Sequence, residues 1–193
     1  MYQHYDNFLE EHIAQLIDFQ MKEVKWQYDY DSVDGGKNKH WHVLAGHNIE
    51  ECNVNGFDFI EPIWNNIQNK YEVELKRVYF NAHTHGIEPH IHKDDGDVTM
   101  IYYPRLDWKI NWGGGTAIYN DDVTDIERHF VNKGNRLIVF TATLLHQGMP
   151  VSRECYQLRT CIVFKTTWKD KTKSKWYNKT NNLKPEDMKV DIE

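Results

Sequence analysis

The sequence predicts a mainly β domain with flanking helices, an α+β class in which a closed or double-sheet antiparallel body has helices packed on one side. Three observations predict it. Short runs of β-branched and aromatic residues, separated by Gly, Pro and Asp turns, fill the chain from Glu72 to Phe164. Apolar residues recur at helical spacing only before that stretch. The 193 residues suffice for one well-filled core and are too few for two comfortable ones.

Taken in order, a helix is expected from Asn7 to Glu23, with Phe8, Leu9, Ile13, Leu16, Ile17 and Met21 on its apolar side. Asp6 or Asn7 would cap it, and Glu10 and Glu11 suit its first turn. Val24 to Tyr30 alternates large and polar residues as a half-buried strand, ended by the turn Asp34-Gly35-Gly36, and Trp41 to Leu44 is a second strand. Phe57 to Tyr71 reads as another helix, with Ile60, Ile63, Trp64 and Ile67 on one face and Pro62 tolerated in its first turn. Both helices read as buttresses. Strands then follow at Val73–Phe80, Thr99–Tyr103, Thr116–Tyr119, Arg136–Phe140 and Leu158–Phe164. The run Gly113 to Gly115 lacks the Gly-Lys-Ser/Thr of a phosphate cradle and reads as a strand-entry turn. The expected organisation is a single domain over 1–167, with a helical part at 1–71 and a β core at 72–167, followed by a charged tail at 168–193.

Charge and composition narrow the function. A formal charge of −6 gives no global attraction to nucleic acid or anionic membrane. The basic, aromatic stretch 165–179, with Lys165, Trp168, Trp176 and Tyr177, is compatible with single strands, but a solvated tail running into the acidic Asp191–Glu193 is the preferred reading. Three cysteines, Cys52, Cys155 and Cys161, follow no Cys-x-x-Cys spacing, which favours reduced packing thiols. No signal-like start is present, and no segment approaches the ~20 apolar residues of a membrane span. A cytoplasmic protein is expected, in which the Asn178-Lys179-Thr180 acceptor pattern is silent.

The chemistry centres on His92-Lys93-Asp94. An imidazole and a carboxylate two residues apart on an extended segment point to one face and can share a metal ion. Two histidines and one carboxylate form the facial set of open non-heme Fe(II) sites, and His146, delivered by the apolar run Leu137–Phe140, is the candidate third ligand. Short His-x-Asp matches also arise by chance as solvated loop residues. His83, His85 and His90 are read as loop residues, the pair His90 with His92 being the weaker alternative.

With Val98–Tyr103, Asp107-Trp108, Gly114-Gly115 and Arg159 in that order behind the motif, the stretch from Leu75 to Phe164 resembles the Fe(II)- and 2-oxoglutarate-dependent oxygenases of the prolyl 4-hydroxylase-like group. The resemblance implies a distorted jelly roll, the double-stranded β-helix, with the metal near one open end. It implies His92, Asp94 and His146 as iron ligands and Arg159, thirteen positions after His146, as anchor of the far carboxylate of 2-oxoglutarate. A guanidinium fork suits that carboxylate, and an arginine in so apolar a strand needs an anionic partner. Tyr103 falls where the family uses a tyrosine hydroxyl on the same carboxylate. The family's other tyrosine, upstream of the motif, falls on Phe80, with Tyr79 and Asn81 as neighbours able to take over.

The resemblance further implies Fe(II), 2-oxoglutarate and O₂ as cofactor and co-substrates, with ascorbate as an optional addition, in a monomer or homodimer. The substrate expected from it is a prolyl residue in a peptide or protein. Trp108 and Trp112 are candidates to wall a groove for its ring, packing beneath their loop being the alternative. The polar segments Asn81–His90 and Tyr30–His40 are candidate lids. Rival readings are the same chemistry on an amino acid, nucleotide or sugar precursor, and a jelly-roll binding module that has lost catalysis.

Overall fold

The computed structural model describes residues 1–173. In chain order its elements are β1 (Tyr2–Asp6), α1 (Glu11–Glu23), β2 (Gln27–Tyr30), β3 (His40–Gly46), α2 (Ile49–Val54), α3 (Glu61–Gln68), β4 (Val73–His83), β5 (Val98–Tyr103), β6 (Thr116–Tyr119), β7 (Ile126–Phe130), β8 (Arg136–Thr141), β9 (His146–Gly148) and β10 (Arg159–Trp168). Two sheets result. The larger has the order β1-β8-β5-β10-β4-β3-β2 and the smaller β7-β6-β9, with antiparallel neighbours throughout. The fold is a jelly roll.

Why the central strands read as nearly unbroken apolar runs is now plain: both of their faces are covered. Phe80, Met100, Tyr102, Leu137, Val139, Ile162 and Phe164 belong to one core with Ile17, Met21, Ile60, Ile63 and Trp64 of the helical layer. Their neighbours one residue away, Tyr79, Ile101, Ile138, Cys161 and Val163, form a second core with Ile118 and Phe130 of the smaller sheet. Period-two alternation therefore sorts each strand into a helix-facing set and a site-facing set. Full burial of each large apolar side chain contributes about 1.5–3 kcal/mol, and the stacked pair Trp64–Phe164 joins α3 to the central strand.

Several boundaries differ from the expectation. The first helix starts at Glu11 rather than Asn7, because Tyr2–Asp6 is claimed as edge strand β1 by pairing with β8. Asp6 accepts hydrogen bonds from Arg136 and Lys133, and Asn7 turns the chain at φ +50°. The expected helix from Phe57 to Tyr71 divides into a 3-10 turn at Asp58–Ile60 and the shorter α3, with Pro62 in its first turn. The strand expected from Val24 starts at Gln27. Besides β1 and the three-residue β9, two further elements were not anticipated. Helix α2 is too short to show a period and is started by the Asn48 side chain, which accepts from the Glu51 amide at 2.8 Å. Strand β7 is exposed along most of its length. The part before residue 72 is thus not simply helical: β1 joins one edge of the large sheet, and β2 and β3 the other.

Asn135 fastens the N-terminal segment to the sheet. At φ +56° it occupies the left-handed region that asparagine tolerates, and its side chain both accepts from the Leu9 amide at 2.9 Å and donates to the Leu9 carbonyl at 2.8 Å. The Tyr102 hydroxyl also donates to it, at 3.1 Å.

No helix of the described residues is long and apolar enough to cross a membrane. Strand β10 runs to Trp168, and Lys165, read from sequence as the start of a basic tail, is an interior residue of that strand. Trp176, Tyr177, the Asn178 pattern and the acidic end lie outside the described residues.

Candidate active site

Backbone pairing places the triad. His92 and His146 form an antiparallel bridge with two hydrogen bonds of 3.0 Å, which brings the loop bearing the His-Lys-Asp motif against the first residue of β9. The Asp94 amide donates to the Ala142 carbonyl at 2.8 Å, just beyond β8. Each histidine lies with Nδ1 close to a carbonyl two residues back, His92 on His90 at 2.8 Å and His146 on Leu144 at 2.9 Å. With Nδ1 as donor, each Nε2 lone pair would be free to bind an ion held beside Asp94, the arrangement that orients metal-binding imidazoles. The Nε2 to carboxylate distances are 3.3 Å from His92 and 3.2 Å from His146. One ligand atom from each of the three residues lies within 4.8 Å of the others, so the set fits a single ion.

The Asp94 carboxylate is nearly enclosed. Burial raises its pKa, but His146, His92 and Lys165 outweigh that effect and hold it well below the usual carboxylate range. The Thr99 hydroxyl donates to its Oδ2 at 2.6 Å, and the Lys165 ammonium pairs with the same oxygen.

Arg159 begins β10 on the same side, 2 % exposed. Its Nε donates to the Gly114 carbonyl at 2.8 Å, its Nη1 lies 3.3 Å from the Cys161 sulfur, and its guanidinium lies 5.6 Å from the Tyr103 ring centre. Among the described residues no carboxylate lies within 4.0 Å of it, an arrangement that suits an incoming anion. The Tyr103 hydroxyl is buried and hydrogen-bonded to Thr116 at 2.7 Å.

The triad, Arg159 and Thr116 line one open cleft of about 410 Å³, together with Tyr79, Asn81 and His83 from β4. The ladder explains which β4 residues qualify: His83 pairs with Arg159, Asn81 with Cys161 and Tyr79 with Val163, so these three share the inward face. Phe80 does not. It points into the helix-facing core against Phe57 and Phe59, which corrects its assignment to the co-substrate wall; of the three residues considered for that wall, Tyr79 and Asn81 line the cleft. His83, read from sequence as a loop residue, is 3 % exposed, and neither ring nitrogen has a hydrogen-bond partner. Burial and the nearby Arg159 push its pKa well down, keeping the ring neutral.

Trp108 is also placed differently from the groove reading. It is buried in a satellite cluster with Val151 and Cys155, donates its ring N–H to the Gly113 carbonyl at 3.0 Å, and meets Trp112 edge to face at 5.2 Å. Neither tryptophan lines the cleft. They brace the turn that carries Gly114. Thr99, Lys165 and His83 are the site-facing residues that sequence reasoning passed over; stepping by two along β10 from Arg159 through Cys161 and Val163 reaches Lys165.

The profile of the 2OG-Fe(II) oxygenase superfamily matches residues 69–167. Among curated proteins, none matches the chain. Several solved structures share the fold. A prolyl hydroxylase from Trichoplax adhaerens, in complex with a hypoxia-inducible-factor oxygen-degradation-domain peptide fragment, has a TM-score of 0.63 at 15 % identity, covering 86 % of this chain and 82 % of its own. A 2OG-Fe(II) oxygenase-family oxidoreductase from Burkholderia pseudomallei gives 0.60 at 13 % identity over 86 % and 84 %. A Pseudomonas putida prolyl-4-hydroxylase gives 0.55 at 12 % identity over 85 % and 91 %. The matched profile spans more than half of the sequence, from the start of the jelly-roll core through β10, and on that ground the chain belongs to the 2OG-Fe(II) oxygenase superfamily.

Proposed function

We propose that this protein is an Fe(II)- and 2-oxoglutarate-dependent hydroxylase acting on a prolyl residue of a peptide or protein. The observation that supports the reading best is the shared cleft, in which a two-histidine, one-carboxylate set shares the lining with a buried arginine that has no carboxylate within 4.0 Å among the described residues. A bound Fe(II) would supply the chemistry in which one atom of O₂ enters succinate as 2-oxoglutarate loses CO₂ and the other enters a substrate C–H bond to give C–OH. His92 and His146 hold the ion through Nε2 and Asp94 through its carboxylate. Arg159 receives the far carboxylate of the co-substrate, aided by the hydroxyls of Tyr103 and Thr116, and so fixes the orientation of the oxo-acid end. Tyr79 and Asn81 form the opposite wall. The Asn81 side chain is itself held by the His42 ring at 2.8 Å, and His42 is stacked on Tyr30, so that wall is tied to the β2–β3 hairpin.

The cover of the cleft comes from the parts of the two expected lids that lie outside strands, residues 31–39 and 84–90, since Asn81 and His83 belong to β4 and Tyr30 and His40 to β2 and β3. Ser32 and Pro89 reach the opening, His90 Nε2 approaches Asp31 at 3.6 Å, and Gln147 donates to the Pro89 carbonyl at 2.6 Å. Such a cover would exclude water during turnover. The prolyl preference is drawn from the structural neighbours, which include a prolyl hydroxylase in complex with a peptide and a prolyl-4-hydroxylase. The Asp31–His90 contact, which ties together the segments carrying the cleft-lining Ser32 and Pro89, favours a second reading, a small-molecule substrate.

One experiment tests both: proline-containing peptides and a panel of small metabolites are screened for stimulated succinate formation, with mass spectrometry of the product. A gain of about 16 Da on a proline, one oxygen atom, is the expected result. Stimulation by a metabolite alone transfers the assignment to the small-molecule reading, and no stimulation by any compound removes the hydroxylase reading.

A further inference from the structure

The loop that carries Asp94 is gripped by three cations. Lys76 and Arg77, adjacent in β4, both reach the Asp95 carboxylate, at 2.9 and 2.6 Å. Adjacent residues of a regular strand point to opposite faces, but the ladder slips here: Lys165 pairs with Arg77 and Thr166 with Leu75, and this bulge lets both side chains reach one acid. The third cation is of another kind. Lys165 is 1 % exposed and ends on Asp94 itself, with its Nζ 3.4 Å from the Thr99 hydroxyl.

Lys165 is not needed simply to hold the carboxylate, since Thr99 already donates to the same oxygen. A buried ammonium is costly to desolvate, and it repels a dication that shares Asp94 with it. Its charge is useful for a different ligand. The co-substrate is a dianion, and in this cleft the single acidic ligand of the ion would otherwise subtract from the positive field that attracts it. Resting on the functional reading above, we propose that Lys165 is a positioning residue that holds the Asp94 carboxylate through Oδ2 and offsets its charge, weakening metal binding while strengthening binding of the dianionic 2-oxo acid.

The sign of the effect separates this role from a scaffolding one. Removing Lys165 leaves Asp94 with fewer partners in the metal-free protein and takes away the repulsion, and both changes favour the metal. The same removal leaves the loaded cleft less positive, which disfavours the dianion.

The test is titration calorimetry with Mn(II), then with 2-oxoglutarate on the Mn(II)-loaded protein without O₂, for the wild type, Lys165→Met, Lys165→Gln and Lys165→Arg. The neutral variants are expected to bind Mn(II) on the order of tenfold more tightly and 2-oxoglutarate on the order of tenfold more weakly, with Lys165→Arg restoring both constants toward wild type. The Gln variant, with its polar tip, covers a misfolded Met variant. Any pattern in the neutral variants other than opposite shifts, including loss of both affinities, overturns the proposal while leaving the hydroxylase reading standing. A wild type that takes up no Mn(II) overturns both.

Discussion

Arg159 and Gly114 are in contact twice: the Gly114 carbonyl accepts from the arginine Nε at 2.8 Å, and a Cβ on Gly114 would stand 3.0 Å from the arginine Cγ and 3.2 Å from the Trp108 ring. Gly114 also has φ +70°, a conformation that L side chains rarely adopt. The glycine is therefore the seat on which the guanidinium stem rests. Gly114→Ala is expected to weaken 2-oxoglutarate binding about tenfold or more while metal binding is little changed, since none of the three candidate ligands touches this turn. Equal losses in both would show that the turn supports the whole site.

The fork of Arg159 matters as well as its charge. Arg159→Lys keeps the cation and loses the planar pair of donors, so the apparent KM for 2-oxoglutarate should rise on the order of tenfold or more with bound metal undiminished. An unchanged constant would move the carboxylate anchor to another residue.

The ligand assignment makes a stricter demand. His92→Ala, Asp94→Ala and His146→Ala are each expected to abolish turnover and to lower bound iron, measured by metal analysis of protein reconstituted without O₂. Undiminished iron in all three variants would dismiss the triad.

Asn135 offers a test of the fold apart from the chemistry. Asn135→Ala removes two side-chain bonds to Leu9 and one from Tyr102, and leaves alanine at φ +56°. Loss of these buried bonds should cost about 2–4 kcal/mol in urea unfolding, with metal binding retained once the protein is folded. A loss below about 0.5 kcal/mol, the size of ordinary surface effects, would mean that water replaces the lost partners.

How far the sequence carried depended on whether a signal was periodic or tertiary. Strands β5, β8 and β10 were legible because Met100, Val139 and Ile162 alternate with Ile101, Ile138 and Val163 between two buried faces, giving apolar runs too strong to miss. The motif from His92 to Asp94 was legible because ligand spacing is local. β1 was not: Tyr2–Asp6 has little strand character of its own and is held by β8, which lies far along the chain. Phe80 was misassigned because counting through a loop of uncertain length is good only to a residue or two, and in a strand one residue exchanges the cleft for the core. Lys165 was hidden by its company, a lysine-rich tail in which a buried lysine looks like the solvated ones that follow.

Stability should also carry a histidine signature in mildly acidic solution. His40 is fully buried between Tyr30 and His83, and burial, the dominant cause, pushes its pKa down to about 4. In the unfolded chain it titrates near 6.5. Between those values the unfolded state binds the additional proton, so stability is fully present above pH 6.5 and falls as pH drops from 6.5 toward 4. At about 1.4 kcal/mol per pH unit, that loss is on the order of 3 kcal/mol at most. The carboxylates held low by cations, Asp6 by Arg136 and Asp95 by Arg77, work in a separate window: their contribution begins to fade only as pH falls below 3.8. Urea unfolding of the metal-free protein from pH 7.5 to 4.5 should therefore show a decline that His40→Gln reduces and that Asp95→Asn leaves intact. The same slope in wild type and His40→Gln would assign the decline to the other histidines with depressed pKa values, His83, His42, His129 and His4, which act in the same direction.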